Sequence, residues 1–266
     1  MPTQTDDSTS KVQLTTRQQE IMEMVKQRGF VAIEALARSF DITPQTARRD
    51  VNDLCDSGLL HRYHGGAGLP STVENIAYET RQILNLEGKR KIAELVARQI
   101  PNHASLFLTL GTTTKEAARA LADHKSLRII TNHLQVAGML AKHKDAEVML
   151  AGGSVRSLDG GVTGELALDF FRNFKVDYAL MSISGIEMDG SLFDFDYREV
   201  RLLRVICENA RRVFLLADHT KYDRHALVRA GNIASNIDAL FTDVAPPGPL
   251  ADILADAGVE VHVADM

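Results

Sequence analysis

Asp41-Ile42-Thr43-Pro44-Gln45-Thr46-Ala47-Arg48-Arg49-Asp50 holds a turn and a helix start together. Thr43 suits the N-cap, because its hydroxyl can accept from a first-turn amide. Pro44 suits the first helical position, which needs no amide donor. The helix is predicted to run to Ser57, with Gly58 stopping it. Ala47, Val51 and Leu54 recur at i, i+4 and i+7 and form its buried stripe. Gln45, Arg48, Arg49 and Asn52 then share the opposite face.

The flanking residues complete a pattern. Thr16-Arg17-Gln18-Gln19 opens an earlier helix, with Thr16 as cap, Gln19 reaching back and Leu14 packing on the first turn. Ile21, Met24 and Val25 follow at helical spacing, and Gly29 ends it. Phe30-Val31 reads as a short extended link, and a second helix is predicted from Ile33 to Ser39 without a Ser/Thr cap. Leu59 to Ala67, including Arg62-Tyr63-His64-Gly65-Gly66, reads as a small two-stranded wing. Three short helices with a tight turn before the third make a winged helix-turn-helix. Arg can take both acceptors of guanine, and Gln or Asn can pair with adenine in the major groove. Thr43, Thr46 and the helix N-terminus can meet a phosphate, and Arg62 and His64 can reach the backbone or minor groove. A solvated face would account for Arg48 and Arg49 on an arbitrary helix. Here the cap, turn, buried stripe and wing all agree, and that agreement favours DNA binding.

Bulk charge does not supply this. The 266 residues carry net charge -5, and residues 1–69 hold eight Lys/Arg against nine Asp/Glu. Recognition must come from local placement of charge. No apolar run approaches 20 residues, and Met1 to Thr9 lacks the basic and apolar regions of a signal peptide. Cys55 and Cys207 stand far apart, which excludes a CxxC site and suits a reducing, cytoplasmic setting. No metal-ligand spacing occurs among the nine histidines. The reading expects no metal and no cofactor.

Residues 70–88 read as a linker, with Glu79 to Leu86 as a helical stretch that Gly88 breaks. The pattern then changes. Strands are expected at 105–110, 128–131, 147–151, 178–182, 213–217, 239–242 and 259–263, with helices between them. Such alternation gives a mostly parallel sheet covered on both faces, with ligands at the carboxyl ends of its strands. Polar and glycine residues gather at those ends. They are Gly111-Thr112-Thr113-Thr114, Thr131-Asn132-His133, Gly152-Gly153-Ser154 with Arg156, Ser182-Ile183-Ser184-Gly185 and Asp218-His219-Thr220-Lys221. Gly160-Gly161-Val162-Thr163-Gly164-Glu165 precedes a further helix. Glycine and threonines at a helix start offer backbone donors, hydroxyls and a favourable dipole to an anion, and Arg156 and Lys221 add charge. The chain holds neither a Walker A loop nor a GxSxG elbow. The inference is a small phosphorylated ligand.

Residues 14–69, through Val31 to Asp50 and Arg62 to Ala67, resemble the DNA-binding domain of the DeoR family of bacterial repressors. Leu110 to Thr113, Ala151-Gly152-Gly153 and Ala217 to Lys221 resemble the family's sensor domain, which is similar in fold to ribose-5-phosphate isomerase. Asp159 to Glu165, Ile183 to Ile186 and Gly190 to Arg201 resemble the branch of the family that answers to glycerol 3-phosphate. The resemblance implies domains at 14–69 and 89–266 and a homodimer or homotetramer on operator double-stranded DNA. It implies release by glycerol 3-phosphate, and no membrane partner. The implied effector residues are Gly111, Thr112, Thr113, Thr114, Asn132, Gly152, Gly153, Arg156, Gly161, Gly164, Ser184, Gly185, Asp218 and Lys221. Three positions depart from the family pattern. Ala32-Ile33 replaces a polar cap, His133 stands where Asn is common, and Ala47 is smaller than usual.

Other readings stay open at this stage. The effector could be another sugar phosphate, or the sensor could serve only as an oligomerisation scaffold. Asp194, Asp196, Glu199 and Lys221 could in principle do acid–base work. The isomerase carboxylates follow the strand that here ends in Met181-Ser182-Ile183-Ser184, side chains that move no proton near neutral pH. The expectation is therefore a switch without catalytic residues.

Overall fold

The computed structural model describes residues 14–28, 30–57, 59–63, 66–68, 78–157 and 159–264. The chain falls into two compact units that divide between Ser71 and Thr72.

In the first unit, α1 (Thr16–Arg28), α2 (Ile33–Ser39) and α3 (Pro44–Asp56) close around fully buried Ile21, Val25, Leu36, Ala47, Val51 and Leu54. The strands β1 (Phe30–Ala32), β2 (His61–Tyr63) and β3 (Gly66–Gly68) form an antiparallel sheet in the order β1-β3-β2. The extended link expected at Phe30-Val31 is thus a third strand of the wing, pairing Val31 with Ala67. Thr43 caps α3 as expected, its Oγ1 accepting from the Thr46 amide at 3.2 Å. The cap of α1 sits one residue earlier than the sequence suggests. Thr15 Oγ1 accepts from the Gln18 amide at 3.2 Å, and Gln18 Oε1 accepts from the Thr15 amide at 3.0 Å. Thr-x-x-Gln fits in two registers here, and the structure takes the one that buries Gln18. Gly29, Gly58 and Gly65 lie outside the described residues. Buried Asp50, absent from the predicted stripe, accepts from Arg17 Nε at 2.6 Å and Nη2 at 3.0 Å. This fork ties the start of α1 to the middle of α3.

The second unit begins, among the described residues, with α4 (Tyr78–Ile83) and α5 (Leu86–Ala97). Gly88 lies inside α5 and does not break it. A Cβ there would come within 2.6 Å of both Asn85 Nδ2 and Asp243 Oδ2, so the glycine serves close packing. Residues 78–83 and 86–88, expected within the linker, are helical and fall in this unit. The main elements follow as β4 (Ser105–Leu108), α6 (Thr112–Ala120), β5 (Leu127–Thr131), α7 (Leu134–Leu140) and β6 (Ala146–Leu150). A hairpin of β7 (Ser154–Val155) and β8 (Val162–Thr163) leads to α8 (Glu165–Arg172) and β9 (Val176–Met181). After β10 (Gly185–Ile186) and β11 (Ser191–Asp194) come α9 (Tyr197–Glu208), β12 (Ala210–Leu216), β13 (Val228–Asn232) and α10 (Ile233–Asn236). The chain closes with β14 (Ala239–Thr242), α11 (Gly248–Asp256) and β15 (Glu260–Val263).

Seven strands form one parallel sheet in the order β15-β14-β12-β9-β4-β5-β6. Successive side chains alternate between its faces. Leu106, Leu108, Ile129, Leu180, Phe214 and Phe241 pack on α5, α6 and α7. Phe107, Ile130, Met181 and Leu215 pack on α8, α9 and α11. This is the doubly covered sheet that the strand–helix alternation predicts. The antiparallel sheet β10-β11-β13 is an addition that the alternation does not predict.

Gly88→Ala is expected to lower thermal stability, although the same change in an open helix raises it by about 1 kcal/mol. Asp243 cannot swing aside, because it accepts from Asn85 Nδ2 and from the His219 amide, each at 2.7 Å. A rise in melting temperature would contradict this reading of the packing.

Candidate functional site

The strand order reverses direction between β4 and β9. From β4 the chain winds outward through β5 and β6; it then returns to β9 and winds the other way through β12, β14 and β15. At such a point the connections leaving adjacent strand ends diverge and open a crevice. A small cavity lies there. Its walls are Leu110-Gly111-Thr112 after β4, Ser182-Ile183-Ser184 after β9, and Lys221 after β12. Tyr78 and Arg81 come from α4, and Arg156, Asp194, Asp196 and Glu199 complete it.

One side of the cavity is rich in positive charge. The side chain of buried Lys221 makes no hydrogen bond or ion pair among the described residues. Burial, Arg224, Lys89 and Arg81 push its ammonium down to about 7, against the pull of Asp218. Arg81 Nε is buried without a hydrogen-bond partner among the described residues, and its guanidinium lies 5.6 Å from the centre of the Tyr78 ring. Gly111 caps α6, and Gly111 and Thr112 face the cavity, so first-turn amides without intrahelical partners meet it. A Cβ on Gly111 would come within 2.9 Å of Thr114 Oγ1 and 3.0 Å of Ser182 Cβ, so the glycine suits the close approach of these two strand ends. Thr114 Oγ1 donates to the Thr109 carbonyl at 2.8 Å and the Gly111 carbonyl at 3.0 Å, which holds the loop in place.

The other side is acidic and tightly bonded. Arg156 pairs with Asp159 at 2.5 Å, with Asp196 at 2.7 Å, and with Glu199. Burial opposes the charge of Asp196, but Arg198 and Arg156 hold its carboxyl down to about 2. Burial, Asp194 and Asp159 together push the Glu199 carboxyl up, against the pull of Arg156. Arg156 is therefore neutralised by carboxylates and is not the free cation that its position after Gly152-Gly153 suggests.

The cavity brings together five of the expected effector residues: Gly111, Thr112, Arg156, Ser184 and Lys221. The others are not among its lining residues. Asn132 braces the loops, accepting from the Leu110 amide at 3.1 Å and donating to the Val162 carbonyl at 3.3 Å. Thr113 is buried, with Oγ1 unpartnered among the described residues. Asp218 caps the turn at Thr220 through the amide at 3.0 Å. Gly152, Gly153 and Gly164 are exposed, and Gly161 packs on Leu110. A Cβ on Gly185 would fall 1.9 Å from the Arg224 carbonyl oxygen. Tyr78 and Arg81 were not anticipated, because they lie in the stretch read as linker. His133, buried and pushed down to about 4 by burial and Lys115, lies 3.1 Å through Nε2 from the Tyr78 hydroxyl.

In the first unit, Thr43, Gln45, Arg48, Arg49 and Arg62 are exposed, and Thr46 and Asn52 are half-buried. Asn52 Oδ1 has no hydrogen-bond partner among the described residues. Arg48 makes one long ion pair with Glu34, 3.9 Å away on α2. His64 lies outside the described residues.

Residues 17–73 match the DeoR-like helix-turn-helix domain, and residues 84–244 match the DeoR C-terminal sensor domain. The chain belongs to the DeoR family. It is 46 % identical over 249 residues to the glycerol-3-phosphate regulon repressor of Escherichia coli (strain K12), covering 94 % of this chain and 98 % of that one. It is 42 % identical to the repressor CsqR of the same organism, over 92 % of this chain and 94 % of the relative. Among solved structures, ribose 5-phosphate isomerase A from Methanocaldococcus jannaschii matches 52 % of this chain and 55 % of its own. The identity is 17 % and the TM-score 0.38. No described helix is long and apolar enough to cross a membrane. For a DeoR sensor the chemistry of the cavity matters more than this distant likeness, and that chemistry joins a side rich in positive charge to a side rich in hydrogen-bond acceptors.

Lys221→Met is expected to stabilise the protein by roughly 1–3 kcal/mol, because a buried unpaired cation costs more than an apolar side chain of similar length. The folded value near 7 lies below the ordinary 10.5, so between them the unfolded chain binds more protons. Wild-type stability should therefore rise from pH 7 to 9, and the variant should lose that slope. Thermal melting across this range checks both; a less stable variant contradicts the account.

Proposed function

We propose that the chain is a DNA-binding transcriptional repressor of glycerol 3-phosphate metabolism that leaves its operator when glycerol 3-phosphate binds. The observation that carries this reading is the division of one small cavity into two chemistries. Arg81, Lys221 and the first turn of α6 suit a phosphate. The carboxylates of Asp194, Asp196 and Glu199 suit the hydroxyls of a short polyol, which donate to them. The name of the Escherichia coli relative supports the same ligand. The protein acts in the cytoplasm as a homodimer or homotetramer, with one α3 in each of two successive major grooves.

On the DNA, Gln45, Arg48, Arg49 and Asn52 read base edges, while Thr43, Thr46, Arg62 and His64 position the backbone. Ligand and operator oppose each other by about 1–3 kcal/mol. A second reading rests on Glu199 and Lys221, two groups shifted toward neutral pH in one cavity, which is what acid–base chemistry requires. Turnover of ribose or triose phosphates by purified protein tests it, and no rate above background is expected.

Operator binding at fixed salt, with and without glycerol 3-phosphate, tests the main reading; salt must be fixed because phosphate contacts make affinity salt-dependent. Release by glycerol 3-phosphate, and not by glycerol or inorganic phosphate, is expected. Operator affinity indifferent to the ester would overturn the effector assignment. Arg48→Ala is expected to cost roughly 1–3 kcal/mol of operator affinity and to leave ligand binding intact. Unchanged operator affinity would overturn the role of α3.

A further inference from the structure

Helix α4 has two attributes that meet nowhere else among the described residues. It supplies Tyr78 and Arg81 to the cavity, and it is the first described element after β3 of the DNA-binding unit. We propose that α4 is the part of the sensor that reports occupancy: an anion in the cavity fixes α4 through Arg81, and the state with α4 so fixed is the one with lower affinity for operator. This rests on the reading of the cavity as a phosphorylated-effector site.

A six-residue helix has little stability of its own, so tertiary bonds decide whether α4 stays docked. Four such bonds are present. Tyr78 Oη is hydrogen-bonded to His133 Nε2 at 3.1 Å. Lys115 Nζ donates to Gln82 Oε1 at 2.8 Å. Lys89 Nζ donates to the Arg81 and Leu84 carbonyls, both at 2.5 Å. The last two place a cation where the final carbonyls of α4 need a donor.

Charge works against docking. Arg81 arrives beside Lys89 and Lys221, and it lowers the affinity of both for protons. Asp218 raises the same affinity in both lysines and Glu116 and Asp243 raise that of Lys89, but at Lys221 Asp218 alone opposes Arg224, Lys89 and Arg81. Moving Arg81 into place therefore adds like charge to a buried cluster. A bound phosphate ester reverses the sign of that interaction. Docked and undocked α4 thus differ in affinity for the anion, which is the condition for a ligand to shift an equilibrium. Asp194, Asp196 and Glu199 do not cancel the effect, since Arg156 already pairs with two of them on the far side of the cavity.

Hydrogen exchange of the full-length protein tests this. Saturating glycerol 3-phosphate is expected to slow amide exchange in residues 78–84 at least about fivefold, and glycerol alone is expected to leave it unchanged. Unchanged exchange in a protein whose melting temperature rises with the ester overturns the role of α4 and leaves the effector reading standing. A protein whose melting temperature does not respond overturns both. Lys115→Met removes the Gln82 anchor, and with it a bond to Gln135 Oε1 at 2.8 Å, without touching the cavity lining. It is expected to leave operator affinity unchanged without ligand, and to reduce the ligand-induced loss of operator affinity at least about threefold. Lys115→Arg is expected to restore the response. A full response in Lys115→Met overturns the proposal.

Discussion

A parallel sheet that winds outward from β4 in one direction and from β9 in the other cannot cover the gap between those two strands with a connection. The constraint is geometric, and the rest of the sensor unit follows from it. Loops 110–112 and 182–184 part at that gap, and their first residues become walls. Gly111 suits this place because a Cβ there would crowd Thr114 and Ser182. Thr114 and Asn132 spend their polar groups holding the parted loops, so they do not need to touch a ligand to matter.

Charge then divides the crevice. Arg156 sits among Asp159, Asp196 and Glu199 and contributes no free positive charge. Lys221 is buried without such a partner among the described residues, and Arg81 keeps an unpartnered buried nitrogen. Burying a cation this way costs stability, a cost that a bound anion would recover. The cavity is thus weakest as folded structure on its cationic side. In the DNA-binding unit the balance is reversed: the Arg17–Asp50 fork is spent on holding α1 to α3, and Arg49 is left exposed on the recognition helix.

How much of this was legible in the sequence depends on how local the determinant is. Thr43-Pro44 fixes the start of α3 by itself, and the Ala47, Val51 and Leu54 stripe needs only helical spacing. All seven strands of the parallel sheet stand out as apolar runs between helices. The register of the α1 cap was not legible, because Thr15–Gln18 and Thr16–Gln19 satisfy the same rule and only burial chooses between them. Gly88 reads as a helix breaker until Asn85 and Asp243 are seen beside it. Arg156 and Arg81 show the same limit with opposite outcomes. The first follows a Gly-Gly strand end and turns out to be neutralised; the second lies in an unremarked stretch and turns out to line the cavity. What separates them is the distance to Asp196 and Glu199, far along the chain from Arg156, which no local pattern encodes.

The central claim is that one anion site and one DNA face oppose each other through a single equilibrium. Linkage makes the most direct test a reciprocal one: titrating glycerol 3-phosphate into the full-length protein with and without saturating operator DNA, at one salt concentration. The account predicts that operator weakens ester binding by the same factor by which the ester weakens operator binding. Equal ester affinity in the two titrations would contradict it, because a ligand indifferent to the DNA-bound state cannot release the protein from DNA.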